Sequence, residues 1–255
     1  IQFKEAKMIK FTTYLSEAGA GAERQENGFV KAINDAFKTA KKGITVKTND
    51  MTVHDIVKAE KFTGRSKANT EPYTDVIITT SKNKKYNLSM KGNSAPSLAG
   101  GGLAGMELVI PGIGMNFMKA ALAHHKKSLK PGDKVPDLFA KLNDKDKNLL
   151  VIGNVSMGGP IHYMYIGPMD VVSSFDEKKN ILTLNGKISD AKKYANSKDL
   201  FSRLRARRED QTFDPTKKDR AGIPTVYGKS PSRGDSKGRI VVTDKPSKSR
   251  SQITF

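Results

Sequence analysis

The chain has 255 residues, enough for a full hydrophobic core, and its 45 Lys and Arg against 26 Asp and Glu give a formal charge of +19. It contains no cysteine, which excludes disulfides, thiolate metal sites and thiol catalysis. No apolar run approaches the roughly 20 residues needed to cross a bilayer, so no membrane partner is expected. The charge excess points to a polyanion, with DNA foremost.

Taken in chain order, "MIKFTTYLSEAG" from Met8 reads as a natural start preceded by "IQFKEAK", and residues 1–21 are set apart as an N-terminal segment. Glu26, Val30, Ile33 and Phe37 recur at spacings of four, three and four, which predicts a helix over 22–41 with the Glu26 carboxylate turned toward the body of the protein. Gly43 closes it. A shorter helix is expected over 53–61. Two β-rich segments, 74–80 and 85–91, flank the polar turn "SKNK" and form a hairpin. Folding about Lys82 and Asn83 sets Asp75 opposite Met90, give or take one residue, and so beside Ser89 and Lys91. Those two residues share a strand face.

Beyond the hairpin, "SLAGGGLAG" lacks the Gly-Lys-Ser/Thr of a phosphate-binding loop, and its glycines weaken any helix there. A helix is predicted over 115–128, strands over 163–166, 170–173 and 181–184, and a short helix over 188–195. His124 and His125 are adjacent and cannot both face one metal, while His54 and His162 stand alone, so no zinc motif exists. Arg203, Arg205 and Arg207 alternate on one strand face and, with Arg208, form a basic stripe suited to a nucleic-acid backbone. From 211 onward the chain is rich in Pro, Gly, Ser, Lys and Arg, and 201–255 is read as a basic arm carrying one strand at 239–243.

The chemistry suggested by the hairpin is phosphodiester hydrolysis, which needs a hard cation held by oxygens and a positive group near the charge developing on phosphorus. Asp75, thirteen intervening residues and then "SMK" resembles the PD-(D/E)xK nucleases, whose hairpin carries the aspartate on one strand and acid-x-lysine on the next. Ser89 departs from that pattern. The Ser-x-Lys variants of the superfamily take the missing acid from a later glutamate, and Glu107, separated from Lys91 by fifteen intervening residues, looks like that ligand. The resemblance implies an α/β fold of the restriction-endonuclease type, a mixed sheet flanked by helices over 22–200. It implies Mg2+, or Mn2+ in its place, on Asp75 and Glu107. Lys91 would act on water and phosphate, with Glu26 in support. The expected function is a metal-dependent DNA endonuclease, and cutting both strands suggests a homodimer. The "MIKFTTYLSEAG" opening and the "GIPTVYGKSPSRGD" arm are similar to proteins of tailed bacteriophages, which implies the cytoplasm of an infected bacterium or the virion. The alternative is a non-catalytic virion or DNA-packaging protein on a degenerate nuclease-like fold, contacting DNA or other virion proteins.

Overall fold

In the computed structural model the described residues are 2–67, 69–93, 98, 101–205, 212–216, 229–230, 234–235, 239–244 and 251–253. In chain order they begin with α1 (Gln2–Ala40), β1 (Ile44–Lys47), β2 (Thr52–Lys61), β3 (Val76–Thr80), β4 (Lys85–Gly92), α2 (Gly102–Val109) and α3 (Ile113–Ser128). Then come β5 (Leu138–Lys141), α4 (Asp144–Ile152), β6 (Tyr163–Gly167), β7 (Ser173–Asp176), β8 (Ile181–Leu184), β9 (Lys187–Asp190), α5 (Ala191–Asn196) and β10 (Phe201–Arg205). Four short strands complete the set: β11 (Lys229–Ser230), β12 (Gly234–Asp235), β13 (Arg239–Thr243) and β14 (Ser251–Gln252). The protein is α/β, and no described helix is long and apolar enough to cross a membrane.

The chain divides into two compact units. The first comprises residues 1–63, 74–96 and 161–190, and the second residues 64–73, 97–160 and 191–255. The first is built on an eight-stranded mixed sheet in the order β7-β8-β1-β2-β3-β4-β6-β9, parallel at β8/β1 and β4/β6 and antiparallel elsewhere. Helix α1 packs on it. Phe29, Ile33 and Ala36 enter a core with Val76, Ile78, Leu88, Met90 and Tyr165, and Phe29 meets Tyr165 edge to face at 5.3 Å between centroids. The helix runs back to Gln2, so residues 2–21 of the segment expected to stand apart at 1–21 are helical backbone continuous with α1.

The helix expected over 53–61 is the strand β2. Its buried residues Val53, Ile56 and Ala59 recur every third position because two bulges each insert one residue, between Val53 and Ile56 against β1 and between Ile56 and Lys58 against β3. A bulged strand thus mimics helical spacing. Where β1 stops opposite Ile56, the Asn34 side chain on α1 takes over as partner, accepting from the Ala59 N–H and donating to its carbonyl, both at 2.9 Å.

In the second unit, β13-β10-β5-β14 form a four-stranded sheet. Leu138, Phe139, Leu204 and Val242 are buried in it, and Phe117 and Met118 of α3 are buried in the same unit. β10 pairs residue for residue with β13 and with β5, so the described part of 201–255 contributes strands to the second unit's sheet. The short helix expected over 188–195 is likewise β9 followed by α5.

Candidate functional site

The hairpin β3–β4 positions the first set of side chains. Register pairs Val76 with Leu88, and one step further sets Asp75 level with Ser89, within the tolerance of the sequence reading. Asp75 extends the ladder on both sides: its N–H donates to the Leu88 carbonyl and its carbonyl accepts from Phe62 N–H, each at 2.9 Å. Its carboxylate then replaces backbone where the ladder ends. Oδ2 accepts from Met90 N–H at 2.6 Å and from the Ser89 hydroxyl at 3.1 Å.

The pleat decides which groups meet. Leu88 and Met90 join the core beneath α1, so Ser89, buried at 2 % exposure, and half-buried Lys91 lie on the other face. Glu26 projects from α1 and pairs with Lys61 at the end of β2, Nζ to Oε2 3.0 Å, with side chains 22 % and 37 % exposed. Asp75 feels both groups. Burial raises its pKa, the Lys91 ammonium and the Met90 N–H oppose that rise, and the Glu26 charge reinforces it. The net direction is upward, set mainly by burial.

Gln25 escaped the sequence reading. It is 2 % exposed, and its Nε2 donates to the carbonyls of Lys91, Gly167 and Pro168 at 3.2, 2.9 and 3.0 Å. It thereby ties α1 to the carboxyl ends of the parallel pair β4 and β6. A signal was available: Gln25 lies four and eight residues before Phe29 and Ile33, on the buried face of the helix.

Glu107 belongs to the second unit. It reaches from α2 to the start of α3, where Oε2 accepts from Gly112 N–H at 2.7 Å and Oε1 from Met115 N–H at 2.8 Å. Gly112 provides no side-chain cap, so Glu107 satisfies the first amides of α3 and complements its dipole. Arg203 is drawn out of the expected basic stripe. Its guanidinium pairs with Asp137, the two side chains 22 % and 11 % exposed, and lies over the Phe139 ring. Arg205 stands in β10, while Arg207 and Arg208 lie outside the described residues.

The donors bear on the divalent cation that the resemblance implies. Among the described residues no three His, Cys, Asp or Glu side chains gather into a metal-binding group. Magnesium commonly takes only one or two carboxylates and completes its shell with water and substrate phosphate. Asp75 and Glu26 influence each other electrostatically and do not make an all-protein cage, so an ion held by them would take the rest of its shell from water and substrate. Comparison of the chain with family models, curated proteins and solved structures gives no match.

Proposed function

We propose that the protein is a metal-dependent DNA endonuclease whose site lies at the end of the β3–β4 hairpin. The observation that carries this reading is the juxtaposition of Asp75, Ser89 and Lys91, with the Asp75 carboxylate under the influence of both Lys91 and Glu26. Two features support it. Parallel strands β4 and β6 end together here, and the carboxyl ends of strands are where open α/β sheets bind ligands. Buried Gln25 holds the main chain at Lys91, which preorganises the cation on that residue.

In this reading Asp75 and Glu26 would hold Mg2+ or Mn2+, which when bound would supply a Lewis acid and lower the pKa of water. Lys61 holds the Glu26 side chain in place. The Lys91 ammonium faces the non-bridging oxygens of the phosphodiester and offsets the charge that grows there as water adds in line and the sugar oxygen departs. Ser89 fixes the Asp75 carboxylate without adding a second negative charge. Glu107, expected as a cation ligand, serves in this reading as the cap of α3.

A second reading rests on one observation: a hydroxyl at position 89 leaves a site poor in carboxylates, as in a virion or packaging protein on a retired nuclease fold. Nicking of supercoiled plasmid with Mg2+, with Mn2+ and with chelator, comparing the native chain with Lys91→Ala and Asp75→Asn, separates the two. Metal-dependent nicking lost in both variants is expected. Absence of nicking by the native chain in either metal overturns the enzymatic reading in favour of the structural one.

A further inference from the structure

Where β1 begins and β3 ends, both opposite Ile56 of β2, the first unit carries a different feature. Three turns meet there, and backbone contacts bind them to one another. The β3–β4 loop is closed by Asn83 N–H to the Thr80 carbonyl and Thr80 N–H to the Lys84 carbonyl, both 2.9 Å. Ser81 then donates through its N–H to the Asp55 carbonyl at 3.1 Å and through its hydroxyl to the Asp55 carboxylate. Gly43, between α1 and β1, is packed so closely on Asp55 that a Cβ there would lie 2.2 Å from its carboxylate. Thr45 N–H reaches the Asn180 carbonyl of the β7–β8 turn at 2.9 Å.

These turns have defined geometry. Lys41, Asp55, Asn83 and Asn180 all adopt left-handed backbone, with φ of 55°, 64°, 59° and 53°, a conformation that Asn and Asp tolerate best. What the turns present to solvent is lysine. Lys41, Lys42, Lys82, Lys84, Lys85 and Lys178 are all exposed. Among the described residues, none of the six makes an ion pair, whereas neighbouring Lys179 lies 3.7 Å from Asp176. Elsewhere in the unit some lysines are partnered, as in Lys61 with Glu26 and Lys187 with Asp50. Asp55, Asp176 and Glu177 are the acids among these turns, and the first two are occupied by Ser81 and Lys179.

We propose that this lysine-bearing end is a docking surface for the phosphate backbone of duplex nucleic acid. The strands that bring the lysines together, β8, β1, β2, β3 and β4, are successive in the sheet, so the row spans roughly 19 Å at the usual strand spacing. A duplex offers roughly ten phosphate charges over that length. The lack of apolar side chains argues against other anions. The large exposed hydrophobics among the described residues are Leu149, Val155 and Val172, and none lies in these turns. A membrane surface site would add such residues to its cations, and protein interface cores are depleted in lysine. The inference does not depend on cleavage at Asp75 and Lys91.

The test measures affinity of the full chain for a fluorescent 20-base-pair duplex over a series of salt concentrations, in chelator so that no cleavage intrudes. The triple variant K82Q/K84Q/K85Q is compared with K119Q/K126Q/K127Q, which removes the same charge from exposed positions on α3. The first triple is expected to weaken binding about tenfold or more at ~0.1 M salt and to make the slope of log K against log salt shallower by about 2 to 3. The second leaves the slope within about one unit of native. Thermal melts of both triples report that the fold is intact. Equal effects of the two triples would reduce the binding to net charge and overturn the assignment, as would a native slope retained in the first triple. Loss of binding to phosphatidylserine vesicles, with duplex binding unchanged in the first triple, would overturn it in favour of a membrane.

Discussion

The Ser89 hydroxyl donates to Asp75 Oδ2 across 3.1 Å, at a place where a second acid would stand directly against the first. The chain resolves a conflict there, since a neutral donor stabilises one buried carboxylate and a second carboxylate would need a cation to stand beside it. Ser89→Asp is therefore expected to destabilise the metal-free protein at neutral pH by on the order of 2 kcal/mol. Added Mg2+ restores much of that loss. Thermal unfolding in chelator and in Mg2+ checks it, and a variant whose melting ignores the metal would count against cation binding at this end of the hairpin.

Asp75 itself makes stability depend on pH. Its folded pKa is raised above the ordinary value near 3.8, mainly by burial, so the folded state holds the proton more tightly than the unfolded chain. Its contribution is fully present below the unfolded pKa and is lost as pH rises through the folded one. Asp75→Asn keeps an acceptor for Met90 N–H without the charge. In chelator it should melt higher than the native chain at pH 7, and the difference should shrink toward pH 3. A variant that melts lower at pH 7 would show that the ionised carboxylate stabilises the site.

His125 acts in the opposite sense. It is fully buried on α3, and burial, then the charge of His124, lowers its pKa to about 4, against an opposing interaction with the Pro136 backbone. The stability it contributes is present above the unfolded value near 6.5 and is lost as pH falls toward 4. Replacement by the uncharged ring in His125→Phe should flatten the native loss, which amounts to about 3 kcal/mol at most. Denaturant midpoints at pH 7, 5.5 and 4.5 measure this, and parallel pH profiles for the two chains would refute it.

Glu107 separates two roles by the kind of damage its loss causes. As the acceptor for Gly112 and Met115 N–H it is expected to contribute to folding, so Glu107→Ala should cost about 1 to 3 kcal/mol. Glu107→Gln, which retains one acceptor oxygen, should recover part of it. Loss of metal affinity with unchanged stability would instead restore Glu107 to the cation site.

Several features were legible because they are local. The hairpin, β6, β8 and most of α3 follow from short-range alternation and turn chemistry, and Asp75 beside Ser89 follows from counting outward from Asn83. The buried stripe of α1 lies one position away from the sequence expectation in places. Gln25 and Phe29 enter the core, and Glu26 sits at its rim with Lys61, because Phe29 has Tyr165 to pack against and that partner is more than a hundred residues away. β2 departs from the sequence expectation for a different reason. A bulge changes spacing from two to three, and nothing within the strand distinguishes that from a helix until the partner strands β1 and β3 are known.

What the amino-acid sequence determined by itself was composition and local pairing: a basic chain without thiols, an α/β alternation, and an aspartate and a lysine brought to one end of a hairpin. Only the tertiary structure decided how those charges are spent. Arg203 is drawn into a pair with Asp137 and Glu107 into the first turn of α3, because desolvated charges and unsatisfied amides take the nearest complement. The lysines of three separate turns come together because β1 begins and β3 ends against the same residue of β2, Ile56, an adjacency set by register.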